Sequence, residues 1–196
     1  MPILGALMGL FLLAGTAGTP GPVRAPLVLA APAPVVASSA SYTLTLTGYN
    51  AVPEQTDDTP FVTASGAYTN PEVVAARSQD LRAELPFGTI IAIDGPASDN
   101  NGGCNYDSVS RHIGYRVIAD TMHIRMKRRV DVLFGVRDRY LLASGRTMNA
   151  ASLLGACPGT SVRVVGFVDI KNPANLPKSQ AELAALVERS SSLAVK

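Results

Sequence analysis

Between residues 42 and 49 apolar and hydroxyl side chains alternate, Tyr42-Thr43-Leu44-Thr45-Leu46-Thr47 ahead of Gly48-Tyr49. A period of two predicts a β-strand with one buried face. Shorter, largely apolar runs predict further strands over Val73–Arg77, Thr89–Ile93, Tyr115–Ala119, Val130–Phe134 and Ser161–Ile170. Turn signals separate them: Ser65-Gly66, Asn70-Pro71, Asp94-Gly95-Pro96, Asn101-Gly102-Gly103 and Pro158-Gly159. Helical patterning is thin, with a short helix over Ser78–Leu85 ahead of Pro86 and a turn over Asn149–Leu154. The tail differs. Ser179-x-x-Glu182 is a capping-box pattern, and Leu183, Leu186 and Val187 follow on one helical face, which predicts a short amphipathic helix docked on the strands. Six strands with this punctuation predict an all-β domain, a small barrel or sandwich, with a short C-terminal helix.

The first forty residues have another character. Pro2 to Ala14 is an uncharged apolar run with the length of a secretory signal core, too short for a transmembrane helix. No Lys or Arg precedes it. Val23-Arg24-Ala25 and Ser38-Ser39-Ala40 both offer small residues suited to cleavage, and residues 15–40 carry a single charge in an Ala- and Pro-rich linker. The chain therefore divides into a signal-like segment and linker (1–40), a β-domain (41–170) and a tail with its helix (171–196). Export to the cell envelope or beyond is expected; left uncleaved, the apolar run would tether the domain to a membrane.

Export changes the outlook for Cys104 and Cys157. In an oxidising compartment two cysteines tend to pair, and both lie in Gly-rich stretches where a bridge would staple turns. A closed loop of that length contributes roughly 4 kcal/mol on the chain-entropy account. Two Cys and two scattered His lack metal-ligand spacing, so neither metal nor cofactor is expected. A net charge of +2 is too small to suggest nucleic acid. No phosphate-cradling loop and no Gly-x-Ser-x-Gly elbow is present.

The candidate chemistry lies in two aspartates, eleven positions apart. Asp120 ends the apolar run Tyr115–Ala119, and Asp131 interrupts Val130–Phe134. A carboxylate placed among strand residues costs free energy unless it is bonded or paired, so each demands a reason. One reason is catalytic: a buried acid with a raised pKa beside an ionised partner can donate a proton. The other is structural, a carboxylate that caps loop amides. Both remain open at this level.

Read in order, Tyr49-Asn50-Ala51, Thr63-Ala64-Ser65-Gly66, Val73-Val74-Ala75-Ala76, Leu85-Pro86-Phe87-Gly88-Thr89 and the two aspartate segments resemble the three-aspartate (3D) domain family. The turn and the aspartate spacing are also similar to the barrel of rare lipoprotein A. The resemblance spans residues 43–168 and implies a six-stranded double-psi β-barrel related to membrane-bound lytic transglycosylase A. It further implies an enzyme that cleaves the glycan strands of peptidoglycan; a monomer is expected. Asp120 and Asp131 match the family's second and third aspartates; the position of the first holds Arg77-Ser78, with Asp80 the nearest carboxylate. Thr63 and Ser65 become candidates for substrate binding near the groove, as do His123 and Arg125 beyond Asp120. After Asp120 the chain departs from the family's glycine-rich stretch, with Thr121-Met122-His123-Ile124-Arg125-Met126-Lys127-Arg128-Arg129 in its place. Bulky basic residues at that point favour the alternative, a non-catalytic wall-binding or structural barrel.

Overall fold

The alternation at the start of the domain becomes β1 (Ser41–Asn50), with Leu44 and Leu46 buried and Thr43 and Thr45 less so. The computed structural model describes residues 40–96 and 104–194. The N-terminal apolar run, Val23-Arg24-Ala25, Ser38-Ser39 and the Asn101-Gly102-Gly103 turn lie outside the described residues. Next come β2 (Val74–Arg77), β3 (Thr89–Pro96), β4 (Tyr115–Thr121) and β5 (Arg129–Phe134), then a hairpin of β6 (Arg139–Leu141) and β7 (Thr147–Asn149), and β8 (Cys157–Phe167). Three α-helices are described: α1 (Tyr106–Val109), α2 (Ala150–Leu154) and α3 (Gln180–Ala194).

Six strands close into a barrel in the order β1-β5-β2-β4-β3-β8. β1/β5 and β2/β4 are parallel, and the other four pairs are antiparallel. The order hides a symmetry. Advancing every barrel strand three places, β1 to β4, β2 to β5 and β3 to β8, exchanges β1/β5 with β2/β4 and β1/β8 with β3/β4, each for one of the same sense, and returns β2/β5 and β3/β8 to themselves. Two half-chains thus interlock about a pseudo-two-fold axis, in agreement with the double-psi barrel that the sequence led us to expect.

Alternation along the strands sorts the core into two clusters. One draws on all six barrel strands, including Leu44, Leu46, Ala75, Ile91, Ile118, Val132 and Val162. The other takes the opposite faces, including Tyr49, Ala76, Val117 and Leu133, and reaches the tail through Leu183 and Val187. Helix α3 starts as the capping box requires: Ser179 Oγ accepts the Glu182 amide at 3.3 Å. The Glu182 carboxylate reaches back one residue further than usual, to the Lys178 amide at 2.7 Å.

Several local expectations need correction. Pro158-Gly159 is not a turn but part of β8. The register against β1 shifts between Leu44 and Leu46, and Gly159 absorbs the irregularity at φ +74°. Cys157 is consequently a buried strand residue rather than a turn residue. β8 ends at Phe167, so Val168–Ile170 continue without strand pairing. The helix expected over Ser78–Leu85 shrinks to one 3₁₀ turn, Gln79–Leu81. Asn149–Leu154 forms a real helix, α2, because the Asn149 side chain caps it by accepting the Ala151 amide at 2.9 Å. The β6/β7 hairpin and α1 were not expected at all. Cys104 and Cys157 are disulfide-bonded, with Cα atoms 4.9 Å apart.

The Leu85–Thr89 turn sets the edge of the site. Its Gly88 has φ +92°, donates to the Ile118 carbonyl at 2.8 Å and accepts from the Val168 amide at 2.9 Å. A β-carbon there would stand 2.1 Å from the Val168 carbonyl oxygen, a backbone atom that cannot swing away. Gly88→Ala is expected to cost more than about 2 kcal/mol, through both the clash and the positive φ. Urea unfolding of the variant measures this.

Candidate functional site

β2 brings the two aspartates together. Its Ala76 pairs with Asp120 on β4 and with Asp131 on β5. In-register neighbours point to the same side of a sheet, so the two carboxylates flank a methyl group with their Cα atoms two strand spacings apart, roughly 10 Å. Val130 and Val132 turn to the all-strand cluster, which sends Asp131 to the face that carries Ala76 and Tyr49. This face opens into a groove of about 750 Å³, lined among others by Tyr49, Thr63, Asp120, His123 and Asp131. A groove of this size suits an extended small-molecule or oligomeric ligand.

The aspartates have different surroundings. Asp120 is half-buried and accepts three hydrogen bonds: from Tyr49 Oη at 3.0 Å, from the Ala64 amide at 2.9 Å and from its neighbour Thr121's amide at 2.8 Å. That acceptor-only set is the bonding of a carboxylate anion. Burial first, and then the charge and hydrogen bond of Asp120, push the Tyr49 phenol well above its ordinary pKa, so it stays a donor.

Asp131 receives no such support. Its Oδ1 is buried without a hydrogen-bond partner, as is Oγ1 of Thr47, its β1 neighbour in the register. Burial pushes the Asp131 carboxyl up to about 7; Thr47 and the Arg129 charge oppose the rise, and the Asp120 charge adds to it. Thr47 is near enough to moderate the shift although its hydroxyl makes no well-formed bond. Burial dominates, and a carboxyl of this kind is half protonated at neutral pH.

Thr63 and Ser65 act through the turn they build. Their hydroxyls are 3.0 Å apart, Thr63 Oγ1 donates to the Ala67 carbonyl at 3.0 Å, and the Ser65 amide donates to the Ala119 carbonyl at 3.0 Å. Held in this way, the turn aims the Ala64 amide at Asp120. Thr63 lines the groove and Ser65 does not. His123 lines it from an exposed position, its Nδ1 accepting the Arg125 amide at 3.3 Å. Arg125 is exposed and is not among the lining residues. Asp80, the stand-in for a first aspartate, is exposed and accepts the Arg128 amide at 3.0 Å, away from the groove lining. The bulky stretch after Asp120 does not close the groove; Met122, Ile124 and Met126 form one wall of it.

Sequence reasoning assigned no role to Tyr49, Thr47 or Arg77. Tyr49 ends a strand at a landmark of the resemblance, which was the available signal; Thr47 looked like one more member of an alternating strand. Asp57, in an acidic loop, also lines the groove. Thr59 bonds to its carboxylate, first through the amide and then through the hydroxyl, and holds its pKa low. Tyr49→Phe should remove one bond to a carboxylate and cost roughly 1–2 kcal/mol, again by urea unfolding, with the barrel intact by circular dichroism.

No protein-family model matches this chain, and no curated protein is similar to it.

Proposed function

We propose that this protein is an exported cell-wall enzyme that cleaves the glycan strands of peptidoglycan, as a lytic transglycosylase or glycosidase, with Asp131 as the general acid. Membership of the 3D family is part of the proposal and rests on the ordered landmarks in the sequence. The observation that carries the mechanism is the contrast between the carboxyls of one open groove: Asp131 desolvated and shifted to about 7, Asp120 held by three donors. A pair whose environments separate their protonation states suits acid-assisted glycoside cleavage.

In this mechanism the Asp131 carboxyl gives its proton to the glycosidic oxygen as the bond from that oxygen to the anomeric carbon breaks. The leaving sugar departs as an alcohol. Positive charge develops at the anomeric carbon and is stabilised by the Asp120 carboxylate. The sugar's own 6-hydroxyl, or water, then attacks that carbon and returns a proton to Asp131. The disulfide supports an oxidising compartment.

A second reading has its own observation. Phe61 and Tyr68 are 67% and 77% exposed on the loop that borders the groove, and Asp120 has two backbone amides. Exposed aromatic rings stack on sugar faces, and this arrangement would serve a non-catalytic binding barrel. Digestion of purified peptidoglycan, with mass spectrometry of released muropeptides, separates the two. Anhydro-muramyl products indicate a transglycosylase and reducing ends a hydrolase. Co-sedimentation with the wall and no release points to the binding barrel, and neither release nor binding refutes both.

A further inference from the structure

A second basin, of about 630 Å³, shares Ala64, Gln79 and Thr121 with the acid groove and extends it past β2. Its character is opposite. Arg77 and Arg82 line it, and no acidic residue does. Arg77 is the unusual member: a β2 residue only 4% exposed, whose buried Nε has no hydrogen-bond partner. Its Nη1 makes one long bond, 3.4 Å to the Ser78 carbonyl. The two ion pairs among the described residues, Arg128–Glu84 and Arg163–Asp94, leave both basin arginines out. Burying a guanidinium without a counter-ion is costly. Burial and the neighbouring Arg82 charge both lower its pKa, which marks the same deficit. The guanidinium carbon also lies over the Phe87 ring, 5.1 Å from its centre.

We infer that the Arg77–Arg82 basin is an anion subsite that takes a carboxylate of the polymer held in the acid groove. A planar guanidinium with an unmatched N–H donor matches a carboxylate better than any neutral sugar group. This assignment rests on the glycan reading given above, and it adds a requirement: the ligand carries a carboxylate a short distance from the bond presented to Asp131. The lactyl group of muramic acid and the carboxylates of its stem peptide share this chemistry. At this position the resembled family carries an aspartate, so the charge preference belongs to this chain's own residues.

The test is a nuclear magnetic resonance titration that follows the Arg77 Nε signal of the full chain. Four probes are used: acetate, neutral chitotetraose, peptide-stripped muramyl glycan and peptide-bearing muramyl glycan. Acetate is expected to shift Arg77 Nε saturably, and Arg82→Gln to weaken that response at least fivefold. One or both muramyl glycans should bind at least tenfold more tightly than chitotetraose; preference for the stripped form assigns the lactyl group, and for the peptide-bearing form the stem. Arg82 is exposed, so its variant tests the subsite without disturbing the core. A flat response to acetate overturns the subsite, and so does equal binding of charged and neutral glycans, which leaves the groove reading intact. If no glycan binds, the glycan reading fails, and the acetate response alone decides whether the basin holds anions.

Discussion

Asp131→Asn is expected to abolish glycan cleavage and, at the same time, to make the protein more stable at alkaline pH. The two effects have one cause. A carboxyl whose folded pKa is raised keeps its proton in the folded state where the unfolded chain has lost it. Stability is therefore full below the ordinary value of 3.8, falls as pH rises towards about 7, and levels off above that. Each pH unit of that window is worth about 1.4 kcal/mol, so the native protein loses on the order of 4 kcal/mol across it. Asparagine does not titrate. The stability of the variant relative to the native protein should rise by on the order of 4 kcal/mol between pH 4 and pH 8, measured by urea unfolding at both. A constant difference would mean that Asp131 is solvated and unshifted. The same proton sets the pH dependence of cleavage. An acid that must be protonated predicts kcat/KM falling about tenfold per unit above pH 7.

Replacing Cys104 and Cys157 together by alanine is expected to cost roughly 4 kcal/mol, because the bridge closes a loop with a sequence separation of 53. That is a large share of the 5–15 kcal/mol typical of a whole domain. Within this loop lie the barrel strands β4 and β5, the β6/β7 hairpin and α2, so the cross-link restrains two of the six barrel strands in the unfolded state. Cys157 also packs in the cluster drawn from all six strands, next to the end of α2. At the other end, Asn105 ties its amide and side chain to the Leu154 and Leu153 carbonyls, at 3.1 and 2.9 Å. Denaturant unfolding of the oxidised protein and the double variant measures the loss; a difference below about 1 kcal/mol would mean that the unfolded chain gains little freedom when the bridge is removed.

The barrel strands were legible because each one signals locally. Period-two alternation identified β1, and the apolar runs located β2 to β5 within a few residues. The elements that escaped are those whose signals are tertiary. β6 and β7 are three residues each with half-exposed side chains, so no periodicity could develop. Pro158-Gly159 reads as a turn in any local window; only the bulge against Leu44 and Leu46 makes it strand.

The site was partly legible for the same reason. Asp120 and Asp131 stood out as charges among apolar neighbours, and that anomaly marked them. Their relation did not, because β2, a strand from earlier in the chain, lies between them and places Ala76 opposite both. Nor could the sequence divide their roles, since the division depends on which carboxyl finds donors. Tyr49 and the Ala64 amide reach Asp120 from 71 and 56 residues away, and nothing of the kind reaches Asp131 Oδ1. Arg116 shows the same limit. No local signal marks it, yet it is buried and donates to the carbonyls of Ile113, Pro71, His112 and Leu133. Burial lowers its pKa to about 10, which leaves it charged.

Everything proposed for the groove depends on one carboxyl, Asp131, that is still half protonated at neutral pH. The most direct measurement is a carbon-13 titration of the aspartate side-chain carboxyls, with Asp131 assigned by its absence in Asp131→Asn. The Asp131 midpoint is expected near 7; a midpoint near 4 would overturn the assignment, and Asp131 would then be an ordinary carboxylate with no proton to give.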